Sequence, residues 1–320
     1  MQSNTIYVVG SLNVDLVTRT ERLPRAGETV RGGDLMLIPG GKGANQVCAA
    51  AKLGGQARMI GQVGGDAFAD LLLDSLRIAG ADTSGIGRSD GATGSATICV
   101  MPNGENAIVI SPGANAKLTP ALALSRLSDL ARGDLLLVQL ETPLDTVEAV
   151  LAYAASRGAI SILDPAPAQP LSRELLAHVA YLTPNQSEAA LLIGDAVPEM
   201  DTHQVSHIAQ RVIALGPKSA VLKLGAMGCF LSDNGFQGPM PGFTVEAIDT
   251  TAAGDTFNGA FAVGLAEGMP VAVAAHFANA AAAFSVTRMG AQSSIPTRHE
   301  VDAFLTRSGR PLEEVNHVCS

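Results

Sequence analysis

The chain has no tryptophan, few aromatic residues (4%) and only four cysteines among 320 residues. Those cysteines, Cys48, Cys99, Cys229 and Cys319, are widely scattered, and none belongs to a CxxC pair. Such spacing indicates neither a zinc site nor a dithiol redox pair and suits reduced thiols in a cytosolic protein. No apolar run reaches the roughly 18 residues that suggest a membrane span. The opening "MQSNTIYVVGSLNVDLV" enters strand-like sequence without a signal-peptide pattern. A cytoplasmic protein with no membrane partner is therefore expected. A formal net charge of -9 argues against a nucleic-acid partner, which needs a basic face. It leaves phosphate ligands open, because a local nest of backbone N–H groups binds them even in an acidic protein. Two nucleotide fingerprints are also missing. Lys42 of "PGGKGANQ" is followed by Gly43, so this is not a Walker A loop, and "VVGSLN" lacks the GxGxxG of a Rossmann dehydrogenase.

What the chain does have is small and apolar. Hydrophobic residues make up 47%, enough for a sizeable core. Short apolar runs ("IYVVG", "LLLVQLE", "ISILDP", "AYLTPN", "AVLKLG") alternate with helical segments at 43–53, 120–131, 145–157, 187–193 and 202–215. This alternation predicts an α/β fold whose parallel sheet is covered on both faces. Residues 12–40 and 95–111 break the pattern. The first stretch alternates around "LPRAGE", and the second reads as a hairpin around "PNGE". Both suit a small separate sheet, a lid on the core formed by 1–11, 41–94 and 112–320. Ile98 and Val100 share one face of the hairpin, and Cys99 and Met101 the other. One face can cover a site, and the other calls for a second subunit.

In an open parallel sheet, ligands bind beyond the carboxyl ends of the strands. Polar residues recur there: Asn13 and Asp15, which share a face, then Glu141, Asp164, Asn185 with Glu188, Lys223, and Asp249 ending "VEAID". Each alone is an ordinary turn or cap residue; together they describe a polar rim. In "IDTTAAGDTFNGAF", Phe257, Phe261 and Leu265 form one helical stripe that Gly268 and Pro270 end. The helix then begins between Ala252 and Asp255. Its unpaired N–H groups and small residues admit a phosphate. Asp255 either caps this helix or takes the proton of an attacking hydroxyl. As an acid at a helix start it is expected to be a weak base, which phosphoryl transfer tolerates.

"GGKGANQVCAAAKLGG" and "DTTAAGDTFNGAF" resemble the two signatures of the ribokinase-like (PfkB) family of sugar and nucleoside kinases. The resemblance continues through "SLNVDLV", "GANAKLTP", "QLETP", "DPAPA", "TPNQSEA", "LGAMG" and "TRMGAQSSIP", and so spans nearly the whole chain. It implies a doubly wound, mainly parallel α/β fold with a β lid that doubles as a dimer clasp. It also implies ATP-dependent phosphorylation of the 5-hydroxyl of D-ribose; another furanose or a nucleoside is the nearest alternative, and a sugar-binding regulator a remoter one. Under the resemblance Asn13, Asp15, Gly41, Lys42, Asn45 and Glu141 hold the sugar, and Asp255 is the base. Ala252, Ala253 and Gly254 form the anion hole. Asn185 and Glu188 organise Mg²⁺ and phosphate, while Lys223, Gly225, Gly228 and Asn279 line the ATP site. Asp249, Thr251, Ser285, Arg288, Gly290 and Ser294 match a monovalent-cation (K⁺) site, several through carbonyls. A guanidinium from Arg288 in that pocket would replace the ion. Gln186, Lys223 and Asp164 stand where the family often has an acid, Thr and Asn.

The histidines get plain readings. His178, His276, His299 and His317 are isolated, and His203 and His207 lie four apart on a helix without a third ligand. Asp66 of "GGDAF" is expected to cap the next helix.

Overall fold

The computed structural model describes residues 4–195 and 202–312. In chain order the strands are β1 (Ile6–Val9), β2 (Asn13–Arg19), β3 (Met36–Gly40), β4 (Ala57–Val63), β5 (Asp82–Arg88), β6 (Gly94–Val100), β7 (Asn106–Ser111), β8 (Leu135–Val138), β9 (Ile160–Leu163), β10 (Tyr181–Leu182), β11 (Ser219–Lys223), β12 (Gly228–Asp233) and β13 (Phe236–Pro241). The helices are α1 (Lys42–Lys52), α2 (Ala67–Ile78), α3 (Pro120–Arg126), α4 (Leu144–Arg157), α5 (Arg173–Leu176), α6 (Gln186–Ile193), α7 (Thr202–Ala214), α8 (Ala253–Ala266), α9 (Val271–Ser285) and α10 (Arg298–Arg307).

The main sheet has nine strands in the order β13-β12-β11-β10-β9-β8-β1-β4-β5. From β11 to β5 every neighbour is parallel; β12 and β13 are antiparallel. The strands β1 and β8 are apolar and buried throughout because helices cover both faces. Successive side chains then enter different cores. Ile6, Val8, Leu135 and Leu137 pack with α1, α8 and α9 residues such as Val47, Phe261 and Phe277. Tyr7, Val9, Leu136 and Val138 pack with Val147, Leu151 and Val212 of α4 and α7. Fully burying such a side chain contributes about 1.5–3 kcal/mol. No helix among the described residues is long and apolar enough to cross a membrane.

The second sheet has the order β3-β2-β6-β7. Here β6 and β7 form the expected hairpin, Ser95 opposite Ser111, and β2 runs parallel to β6. Apolar side chains lie open on both of its faces: Ile108 is 51% and Val109 67% exposed.

Several local expectations change. The segment "VEAID" is not a strand; the amides of Ile248 and Asp249 bond the carbonyl of Val286 instead of a sheet neighbour. The helix expected at 120–131 is α3, which stops at Arg126. The hairpin β12–β13 turns on "DNG" (233–235), a turn signal that precedes a polar, proline-bearing strand and so hides among loop-like residues. Asp66 does cap α2, accepting from the amide of Ala69 at 3.1 Å.

Candidate active site

Parallel strands deliver their carboxyl ends to one edge. Ser11 follows β1, Gln139 and Glu141 follow β8, Asp164 follows β9, Asn185 follows β10, and Lys223 ends β11. Helices α1 and α8 both begin there. Gly43 lets α1 start against the end of β1: a Cβ on it would lie 2.7 Å from the backbone of Gly10 and Ser11. Gly41 caps α1 with φ 91°, a conformation that favours glycine.

Asp255 sits in the first turn of α8, 6% exposed. Ala252 holds the N-cap position and has no side-chain oxygen to offer. The Asp255 carboxylate does not cap; its oxygens accept from Asn45 Nδ2 at 3.0 Å and Gln46 Nε2 at 3.1 Å. Burial pushes its pKa up to about 6, against the pull of Lys42 and the two amides. The expected weak base is therefore a stronger one, because desolvation outweighs the helix terminus. Burial pulls the Lys42 ammonium down, but the carboxylates of Asp255, Asp164, Glu141 and Glu188 together hold it above its ordinary value.

The second sheet supplies the opposite wall. Asn13 and Asp15 project from one face of β2. Burial, and then Glu141, push Asp15 up to about 6. Glu141 Oε2 accepts from Ser11 Oγ at 2.5 Å and from the Lys42 amide at 3.2 Å. Asn115 orients Asn13, donating to its Oδ1 at 2.7 Å while bonding both backbone groups of Leu12. Asn45 Oδ1 is buried without a partner.

Lys223 and Asp164 form a nearly buried ion pair, 2.9 Å apart. The other Asp164 oxygen accepts from Gln46 Nε2 at 3.0 Å, and Gln46 Oε1 accepts from Gln139 Nε2 at 2.7 Å. Asn185 and Glu188 make the capping box of α6. Burial raises the Glu188 pKa; Lys223 opposes this and Asp164 adds to it. Gly225 (φ 60°) and Gly228 (φ 91°) shape the turn after β11. Asn279 is buried in α9 and anchors β13, donating to the carbonyl of Met240 at 2.9 Å.

Of the remaining candidates, Asp249, Thr251 and Gly290 are joined by hydrogen bonds ahead of α8, while Ser285, Arg288 and Ser294 lie at and after the end of α9. Asp249 accepts from the amides of Thr251 (2.9 Å) and Gly290 (2.8 Å). Although burial raises its pKa, these bonds and the Thr251 hydroxyl hold it low. Ser285 and Ser294 are buried, each hydroxyl donating to a carbonyl. The Arg288 guanidinium lies 4.5 Å over the Phe284 ring and pairs with Glu300 at 2.5 Å. It does not fill the pocket. Ala252, at φ 59°, is the one non-glycine among the described residues in the left-handed region, and this turn holds it there.

Sequence reading missed Ser11, Gln46, Asn115 and Gln139. The available signal was a run of polar side chains, Asn45 and Gln46, inside an otherwise small apolar helix. His276 is structural, bonded to the carbonyl of Arg310. Among the described residues no three His, Cys, Asp or Glu side chains could together hold a metal. His317, Cys319 and the side chain of His203 lie outside the described residues.

A model of the pfkB family of carbohydrate kinases matches residues 3–298. The ribokinase of Bacillus subtilis (strain 168) is 42% identical over 301 residues, covering 94% of this chain and 99% of that one. The crystal structure of a ribokinase from Thermotoga maritima, 41% identical, matches with a TM-score of 0.85 over 95% of this chain and 99% of that one. The Arabidopsis thaliana ribokinase complexed with ribose and ATP, 33% identical, matches with a TM-score of 0.87 over the same shares.

Proposed function

This chain belongs to the pfkB family of carbohydrate kinases, and from that membership we propose that it transfers the terminal phosphoryl group of ATP to the 5-hydroxyl of D-ribose. The observation that carries the reading is Asp255: a buried carboxylate at the first turn of a helix, gripped by two amides and facing Lys42. The sugar hydroxyl oxygen forms the new bond to phosphorus, and its proton passes to Asp255. The bond between phosphorus and the bridging oxygen breaks, and its electron pair leaves with ADP. Of the expected anion hole, the Ala253 amide already donates to the carbonyl of Thr250 at 3.2 Å, so the N–H groups of Gly254 and Asp255 receive the transferred group.

Asn13, Asp15, Glu141, Lys42 and Asn45 hold the sugar, and the unpartnered Asn45 Oδ1 suits a hydroxyl donor. The turn at Gly225 and Gly228 takes ATP, with Asn279 steadying β13 behind it. Glu188, with an oxygen outside its capping bond, fits Mg²⁺, which is commonly held by one or two carboxylates plus substrate phosphates. Mg²⁺ would neutralise charge on those phosphates. Side-chain oxygens of Asp249, Ser285 and Ser294, with the backbone carbonyls of Thr251, Arg288 and Gly290, offer the all-oxygen donor set that suits K⁺. The free thiols Cys48, Cys99 and Cys229 agree with a cytoplasmic setting.

A coupled ADP-release screen over ribose, deoxyribose, fructose and nucleosides tests the reading. D-ribose should give the highest kcat/KM; a nucleoside or hexose clearly ahead of it would refute the assignment.

A further inference from the structure

Lys223 and Asp164 are both charged, and they are partners. Lys223 Nζ donates to Asp164 Oδ1 at 2.9 Å, and the two side chains are 13% and 3% exposed. The pair is built in from every side. The backbone of Lys223 bonds the carbonyl of Pro184 and bridges to Asn185. Asp164 Oδ2 accepts from Gln46 Nε2, the amide that also holds Asp255 Oδ1. The ammonium faces the first turn of α8: a Cβ built on Gly254 would lie 3.4 Å from Nζ. Asp164 occupies one of its three N–H donors, which leaves two for an anion on that turn.

We propose that Lys223, held over the first turn of α8 by Asp164, is a catalytic residue that donates hydrogen bonds to the phosphoryl group in flight. This rests on the kinase reading above and adds a residue to it. The hydroxyl proton goes to Asp255 and the leaving electron pair to ADP, so the step asks no proton of Lys223. The ammonium meets the equatorial oxygens, whose charge is spread in a loose transition state. Asp164 has two tasks. It offsets the buried lysine when no phosphate is present, and through Gln46 it fixes the lysine and the base in one frame.

Lys223→Met alone leaves Asp164 buried and unpaired, which endangers folding. The decisive protein is therefore the double variant Lys223→Met/Asp164→Asn, which removes both charges and every side-chain donor at position 223. Its kcat with saturating ribose and ATP should fall by about 10²–10³-fold, the usual loss for one transition-state donor. Ribose affinity, measured calorimetrically, should remain at the parental value. The parent should bind ADP with Mg²⁺, fluoroaluminate and ribose at least about 10²-fold more tightly than ADP with Mg²⁺ alone, and the double variant should lose that gain. A kcat loss below about tenfold, or loss of ribose affinity in step with kcat, would overturn the proposal by making the pair scaffold. A parent that releases no ADP with any sugar would sink the kinase reading itself, and this proposal with it.

Discussion

At the residue scale the chemistry turns on where Asp255 spends its hydrogen bonds. A capping aspartate would accept from its own helix, whereas this one accepts from Asn45 and Gln46 of α1. Asp255→Asn should therefore lower kcat by about 10²–10⁴-fold, the range for losing a general base. The same variant should not lose stability. A carboxylate whose folded pKa is raised to about 6 stabilises the fold below its unfolded pKa, and that contribution is lost as pH rises through 6. At pH 8 the ionised Asp255 is thus a burden of order 3 kcal/mol, from a shift of about two units. The Asn variant should melt at or above the parental temperature at pH 8; a folded variant with most of its kcat would return Asp255 to a structural role. The pH profile gives an independent check. Only ionised Asp255 accepts a proton, and Asp15, also near 6, shares the titration, so kcat/KM should fall as pH drops through about 6. A flat profile down to pH 5 would remove both carboxylates from the rate. These residues were legible because acids beside small-residue turns are conspicuous. Gln46 and Asn115 were not, since their importance lies in partners 118 and 103 residues away in sequence, which no local pattern encodes.

Elements explain why these side chains meet. Parallel strands put Glu141, Asp164, Asn185 and Lys223 on one edge, and the alternation of apolar runs with helices made that edge readable in advance. The edge strand β13 escaped because its polar, proline-bearing sequence lacks the continuous apolar signature of a central strand, and β12, with a short apolar run between Gly228 and Ser232, was lost with its hairpin partner. "VEAID" misled in the opposite sense, with apolar residues that cross the surface; Ile248 is 60% exposed. Two junctions carry predictions. Gly43→Ala would force a methyl group against the backbone of Gly10 and Ser11. Overpacking of this kind costs about 1–3 kcal/mol, and it should also raise the ribose KM by displacing Lys42 and Asn45; unchanged stability and KM would show that the α1–β1 junction yields. The second junction is the turn from Asp249 to Ala253. Asp249 clamps Thr251 and Gly290, and the strained Ala252 follows. An ion bound here would touch no substrate but would fix the anion hole, so K⁺ should raise kcat over a buffer holding only a bulky organic cation. Equal rates in the two buffers would exclude the cluster from the mechanism.

For the whole molecule, the open question of architecture is what covers the second sheet. Asn13 and Asp15 of its β2 belong to the candidate site, while the flanking strands β3 and β7 present Met36, Leu37, Ile108 and Ile110, from 39% to 51% exposed. The register places Ile110 opposite Ala96, and Ala96 opposite Asp15, so part of this apolar surface continues the face that lines the sugar site. A second copy of the same sheet is the economical cover, because a two-fold contact supplies the same apolar patch from both sides. Burying the face would also rigidify β2 and thereby the carboxylate of Asp15. Light scattering at micromolar concentration should accordingly give twice the mass of one 32.7 kDa chain. Ile110→Asp should split the dimer, since two carboxylates would be forced into an apolar two-fold contact. If the clasp steadies the sugar wall, the separated chains should keep their melting of the main α/β body yet show a higher ribose KM. A parent that is monomeric and fully active would separate the lid from assembly altogether, leaving the exposed isoleucines without a partner of their own kind.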